Sequence, residues 1–334
     1  MNTVDHNNVV IFDDRGIPSI MCRFVRPKDT EEVPAVFKIG DKVADAIYIS
    51  KYPNIVIDGR AYSMPMADPT VNITFDGAVQ ACRCKGVGWH LMTAVEYEYL
   101  LNQSREKGTM PHGNTDWGKD YYHNDEQGKV SNLGRTYTGT GPVTWNHDHT
   151  PYGVSDLNGN VWEWLAGLRI KDGVIEFIPD NKAASPYCDL SKDSAGWQQA
   201  ETSKGPVRAN VECGEITITD AVAADDYEPD YDGVRIEKLE VELSEIPQVL
   251  KDLGIIPDKR AEEEGKTYVY FDATEGEYMP IRGSAFNNTS NSGPSALNLN
   301  NPRSNSNDNI GFRSALPLCQ EALRLRPQGQ YKQG

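Results

Sequence analysis

Nine asparagines fall within residues 281–316, IRGSAFNNTSNSGPSALNLNNPRSNSNDNIGFRSAL, and the chemistry open to such a set is recognition of polar groups by hydrogen bonding. In ALNLN, Leu297 and Leu299 fall on one face of an extended chain and Asn298 and Asn300 on the other, because successive strand side chains alternate. Asn305, Asn307 and Asn309 again recur at every second position, ahead of Ile310 and Phe312. Composition alone would allow an Asn/Ser-rich loop or a disordered tract. The interleaved Leu, Ile and Phe argue for an ordered segment instead. Asn287-Asn288-Thr289 also matches an N-glycosylation acceptor pattern, a chemistry that needs a secretory route.

Other reactive residue types are poorly placed for chemistry. Cys22, Cys82, Cys84, Cys188, Cys213 and Cys319 are scattered, and the one close pair is Cys-Arg-Cys. That spacing specifies neither a zinc site nor a disulfide framework, so free thiols are expected. His147-Asp148-His149 puts two histidines on opposite sides of an extended chain, where a shared ion needs a special turn. Ser284 and Ser292 lie near Arg282 without an evident base partner, and read as loop serines.

The 334 residues suffice for one large domain or two ordinary ones, and 20 prolines with 29 glycines point to a loop-rich protein. The formal charge of -16 is concentrated: Val211–Tyr278 holds 20 acidic and 6 basic residues, a local charge of -14. So acidic a surface repels phosphate backbones and argues against nucleic-acid partners. The start MNTVDHNNVVIFDDRG lacks a signal-peptide pattern, and no apolar run approaches the roughly 20 residues that span a bilayer. The expectation is a protein without membrane insertion.

The elements that must hold the asparagines follow from local pattern. Residues 1–32 are weak in signal and read as an arm or an added strand. Strands are expected in VPAVFKIG, ADAIYISKY and NIVIDGRAYSM, the last turned by Asp58-Gly59. FDGAVQACRCKG reads as a helix with Thr74 as N-cap and Gly86 as stop, and Thr93 and Glu96 form a capping box at the head of a second helix. Residues 105–150 suit a long structured loop. Residues 33–170 thus form the first part of a domain. An acidic insertion, a solvated excursion over 171–279, follows with a hairpin at IKDGVIEFI and a short helix near SEIPQVLKDLGI. Residues 280–318 complete the domain and 319–334 form a tail. No repeat at solenoid period is present.

Three separated motifs carry a resemblance. HLMTAVEY at 90–97, GNVWEW at 159–164, and the pair RGSAF at 282–286 with GFR at 311–313 resemble, in order, the landmarks of the formylglycine-generating-enzyme-like branch of the C-type lectin fold. The resemblance runs from about Ala44 to Ala315 apart from the insertion, and is specific in its motifs and weak between them. It implies an α+β fold of mixed short strands, two helices and long loops. Within that branch, ALNLNNPRSNSNDNIGFRSA resembles the C-terminal repeat of the variable proteins of diversity-generating retroelements, whose variable positions are rewritten by adenine-specific mutagenesis. Asn codons suit that process, since changing either of their first two adenines yields many side chains and no stop.

The resemblance implies variable, ligand-binding positions at Asn287, Asn288, Asn291, Asn298, Asn300, Asn305, Asn307 and Asn309, with Ala285 and Asp308 as further candidates. Arg282, Leu297, Leu299, Pro302, Arg303 and Phe312 would stay as fixed anchors. It implies a receptor-binding or display module, not an enzyme, with no required cofactor and a macromolecular ligand, a protein or glycan on a target cell. Location would be cytoplasmic or virion-associated, as in phage receptor binding, and oligomeric state stays open. The alternatives are a fixed structural or surface module of the same fold and, third, an oxidase making formylglycine. That oxidase chemistry needs paired cysteines after the RGGSW-like motif, and AFNNTSNSGPSALNLN has none. In the parent family a calcium site is built on the turn matching DLNGNVWEW, which implies Asp156, Asn158, Gly159, Val161 and Glu163 as oxygen donors. The alternative has Asp156 capping the turn and Glu163 pairing with a core arginine such as Arg313. Trp162 and Trp164 read as core.

Overall fold

The first and last described strands meet in one sheet. In the computed structural model, which describes residues 7–224 and 226–319, Asn8–Phe12 (β1) pairs antiparallel with Pro18–Val25 (β2). The N-terminal arm or added strand is therefore two strands; residues 1–6, and all but Cys319 of the expected tail, lie outside the described residues. Val33–Gly40 departs from the expected strand. Pro34 offers no N–H to a ladder, and a 3-10 turn at Ala35–Phe37 buries the adjacent Val36 and Phe37 together, which period-two alternation cannot do. Ala46–Ser50 (β3) pairs with β2. Asp58 and Gly59 close the expected hairpin between Ile55–Ile57 and Arg60–Tyr62 with φ of 50° and 73°, the left-handed values a two-residue type I′ turn needs.

Both helices are capped as the sequence indicates. Phe75–Arg83 (α1) begins where the Thr74 hydroxyl accepts the Gly77 N–H at 3.1 Å. After His90–Leu91 (β4) comes Ala94–Lys107 (α2). There the Glu96 N–H donates to Thr93 Oγ1 at 3.1 Å and the Thr93 N–H to Glu96 Oε2 at 2.9 Å. Gly108, at φ 64°, ends α2 in the left-handed conformation glycine adopts freely.

The remaining chain builds the larger sheet. Its strands are Trp162–Trp164 (β5), Leu168–Lys171 (β6), Val174–Phe177 (β7), Arg208–Glu212 (β8), Glu215–Thr219 (β9), Tyr231–Arg235 (β10) and Glu240–Glu242 (β11). The short helix Gln248–Asp252 (α3) precedes Tyr268–Asp272 (β12), Glu277–Arg282 (β13), Leu297–Pro302 (β14) and Ile310–Phe312 (β15). The main path runs β10-β12-β14-β13-β6-β7-β8-β9-β11; β5 joins β13 and β15, and the two-residue strand Gln198–Gln199 pairs with β7. Ser314–Leu318 (β16) then enters the smaller sheet, ordered β1-β2-β3-β16-β4.

The acidic segment is not a solvated excursion. Its strands β7 to β12 extend the larger sheet, and β12 runs parallel to the asparagine-bearing β14, with Tyr270 opposite Asn298. The net charge conceals period-two burial: in β8 Ala209 and Val211 are buried while Arg208 and Glu212 are not, and in β9 Ile216 and Ile218 are buried while Glu215 is exposed. These residues share one core with Leu297 and Leu299. A second core on the other side holds Trp162, Trp164, Met279, Ile281, Phe312 and α1.

Candidate functional site

The asparagine-bearing strand is clamped before it is displayed. β14 lies between β12 and β13, and its burial alternates: Leu297, Leu299 and Asn301 are buried, while Asn298 and Asn300 are half-buried. Asn298 Oδ1 accepts from the Asn300 N–H and from Asn301 Nδ2, both at 2.9 Å. Asn305 Nδ2 donates to Asn301 Oδ1 at 2.5 Å, which ties the following loop back to the strand. Asn301 is thus an anchor on the leucine face, where the alternation places it.

The other expected positions gather at the opposite end of the segment. Asn309 Nδ2 donates to Asn287 Oδ1 at 3.3 Å, so residues distant in sequence share one patch. Asn287 and Asn307 are exposed, and Asn288, Asn291, Asn305, Asp308 and Asn309 are half-buried. Asn288 Oδ1 accepts the Ala285 N–H at 2.8 Å and so shapes its own turn. Ala285 departs from expectation: it is 0% exposed and packs in the core beneath the face, so it presents nothing to a ligand. Burial here follows from the Ala285-Phe286 bend into the core, where Phe286 is also buried.

The anchors are held by charge and contact. The buried Arg282 guanidinium lies 3.0 Å from Glu98 and over the Tyr97 ring, and Tyr97 OH donates to the carbonyls of Leu157 and Pro294 at 2.7 and 2.8 Å. Arg303 reaches Glu277 at 2.9 Å and Asp76 at 2.6 Å and covers the Phe75 ring. Gly283 sits at φ 90°, and a Cβ there would come within 2.5 Å of the Leu157 carbonyl, so the RGS turn needs glycine. Phe312 is fully buried, whereas Pro302 is exposed at the strand end.

The side chains implied for calcium are engaged by partners within the protein. Glu163 faces a positive charge of the protein's own: Arg313, fully buried, donates from Nε to Glu163 Oε2 at 2.6 Å and from Nη2 to Oε1. Asp156 Oδ2 accepts the Gly139 N–H at 3.1 Å, Asn158 Oδ1 accepts from Ser284 Oγ at 3.2 Å, and the Gly159 carbonyl accepts the Val161 N–H at 2.8 Å. Burial raises the Asp156 carboxyl to about 6, while the Gly139 N–H and the Arg313 guanidinium act to lower it. The pairing of Glu163 with Arg313 is therefore what this turn builds, and Asp156 caps a neighbouring loop. Among the described residues no group of three or more His, Cys, Asp or Glu is arranged to hold a metal ion, His147-Asp148-His149 included. Trp162 and Trp164 are core, and Trp164 Nε1 donates to the Ile73 carbonyl at 2.9 Å.

Exposed aromatic residues frame the asparagines, and pattern reading missed them. Trp117, Tyr121 and Tyr122 are 57%, 42% and 49% exposed in the loop after α2. The Tyr122 hydroxyl donates to the Ser290 carbonyl at 2.9 Å, and the Trp117 N–H to the Phe286 carbonyl at 2.8 Å, placing both beside Asn287–Asn291. Tyr268 and Tyr270 of β12 are half-buried, with Tyr270 opposite Asn298 in the sheet and its hydroxyl bonded to the Asn291 side chain. Burial raises the Tyr270 hydroxyl pKa and that bond offsets part of the rise. The available signal was aromatic density in WGKDYY and YVYF, in segments read as loop and insertion.

Comparison with known proteins places this geometry. Residues 57–317 match the model of the sulfatase-modifying factor enzyme 1-like domain. The formylglycine-generating enzyme of Mus musculus is 36% identical over 105 residues, which are 29% of this chain and only 27% of that enzyme. Among solved structures, the Major Tropism Determinant U1 variant aligns over 93% of this chain and 72% of its own, at 13% identity and a TM-score of 0.31. Treponema denticola variable protein 1 aligns over 93% of this chain and 99% of its own, at 11% identity and a TM-score of 0.37. Both structural likenesses are distant.

Proposed function

We propose that this chain, which belongs to the sulfatase-modifying factor enzyme 1-like family, is a ligand-binding display protein whose C-terminal face is open to diversification. The observation that carries this reading is the alternation in β14: Leu297 and Leu299 lock the strand into the core while Asn298 and Asn300 stand on the other side. Register is held by the buried set, so the displayed set can change without refolding. Asn287, Asn288, Asn291, Asn305, Asn307, Asp308 and Asn309 extend that face, and the ligand is a macromolecule, a protein or glycan on a target cell. Sequencing the 3′ end of the gene in many independent isolates tests the proposal. Changes confined to adenines of the asparagine codons support it, and a uniform sequence leaves only a fixed surface module.

The identity to a formylglycine-generating enzyme favours one second reading, an oxidase acting on a substrate cysteine. Against it stands the lack of any cysteine between Ala285 and Asn300, with Cys319 the next one downstream. Incubating the copper-loaded protein with a cysteine peptide and looking for the aldehyde by mass decides between them. Turnover would end the display reading.

A further inference from the structure

The amides of the display face make weak anchors, since binding energy at interfaces concentrates in Trp, Tyr and Arg rather than in Asn. The loop after α2 supplies what they lack. Trp117, Tyr121, Tyr122, Val130 and Leu133 are all exposed large apolar residues, 42–57% accessible, within a stretch of fewer than twenty residues. Two of them stand in the left-handed region: Trp117 at φ 50° and Leu133 at φ 51°. Side chains with a Cβ adopt that conformation at a cost, and an exposed apolar group recovers little of it by burial. The strain is held in place from below. The Trp117 ring stands against Phe286 with centroids 5.0 Å apart at 75°, and Gly134 leaves room for it, since a Cβ there would lie 2.5 Å from the indole.

We infer that Trp117, with Tyr121, Tyr122 and Leu133, is a fixed affinity anchor for a folded protein ligand, beside which the asparagines set specificity. The composition of the joint surface, rigid Trp and Tyr among Asn, Ser and Gly, is that of an antibody paratope, in which aromatic anchors supply energy and small polar residues adapt. Exposed aliphatic Val130, which packs at Gly118 beside Trp117, and Leu133, next in sequence to the Gly134 that abuts the indole, favour a protein epitope over a sugar, whose hydroxyls they cannot serve. A fixed anchor also lets the neighbouring positions change without loss of all affinity. This inference rests on the display reading of the same face.

The test has a folding arm and a binding arm. Trp117→Gly relieves the backbone strain and is expected to hold or raise Tm, whereas a fall of more than about 5 °C, on the order of 3–4 kcal/mol for a chain of 334 residues, makes Trp117 a structural residue and overturns the inference. For binding, the probe is a yeast-displayed library of randomised, folded three-helix domains selected against the wild-type chain. Most independent clones should lose at least tenfold in affinity on Trp117→Ala, and on Asn287→Asp or Asn309→Asp. Loss at the asparagines alone removes the anchor and leaves the display reading standing; loss at neither removes both. Tight binding to a neutral glycan array that Trp117→Ala abolishes, with no selected protein clone using Trp117, overturns the protein assignment.

Discussion

Asn298 and Asn300 tolerate replacement because, among the described residues, their side chains bond only to neighbouring groups of the same strand. Asn298 Oδ1 accepts the Asn300 backbone N–H and both side-chain oxygens accept from Asn301 Nδ2 on a half-buried face, where water can take over those bonds. Replacing Asn298, Asn300 and Asn307 by tyrosine should therefore shift Tm by no more than a few degrees, since surface substitutions cost about 0.5 kcal/mol each. A collapse on thermal melting would make these positions core. Arg313 is the contrasting case. Removing it strands Glu163 as an unpaired buried carboxylate, so Arg313→Met should cost about 3–5 kcal/mol in a denaturant melt, while Arg313→Met with Glu163→Leu should recover much of the loss. Because Arg313 holds the carboxylate implied for calcium, Tm should be equal in EDTA and in millimolar calcium. A rise of several degrees with calcium would show that the ion displaces the guanidinium.

Among the elements, β12 and β14 show where sequence pattern speaks and where it is silent. β14 was legible because Leu and Asn alternate cleanly, α2 because Thr93 and Glu96 sit at capping-box spacing, and the Glu163 to Arg313 pair because both lie in intact motifs. β12 was hidden: Tyr268-Val269-Tyr270-Phe271 has aromatic residues on both faces, so its period is lost, and its acidic surroundings suggest solvent. The partnership of β12 with β14 is a parallel, long-range pairing that no local pattern encodes. Ala285 is illegible for a related reason, since a small residue next to variable positions carries no sign of which way the chain bends. Phe271 is fully buried in the core that also holds Leu297 and Leu299. Phe271→Ala should cost about 3–5 kcal/mol and speed amide exchange across Leu297–Pro302. Unchanged exchange in β14 would restore the acidic segment to the status of a separate excursion.

Across the whole molecule, the α+β arrangement is a C-type lectin-like fold of the formylglycine-generating-enzyme-like branch, and burial makes its stability depend on pH at a few titratable groups. Lys85 is fully buried, donates to Ser19 Oγ at 2.9 Å and lies 3.3 Å from the Trp89 ring centroid. Burial lowers its pKa from the ordinary 10.5 to about 7. Between those values the unfolded chain holds a proton that the folded one does not, so stability rises with pH from about 7 upward. His147 works the same way lower down: burial lowers it to about 4, and its Nδ1 accepts the Val154 N–H at 2.9 Å only when neutral. Asp156, raised to about 6, opposes His147 as pH climbs toward that value. The Cys22 thiol, pushed up to about 12 by burial, reverses the trend above its ordinary 9.0. The window in which Lys85 contributes is therefore about pH 7 to 9, with Lys51, also lowered by burial, adding a slope of the same sign. There the wild type should gain stability with rising pH in denaturant melts, and Lys85→Met should flatten that slope while matching or exceeding the wild type at pH 7. If Lys85→Met keeps the full slope, the buried ammonium is not its source.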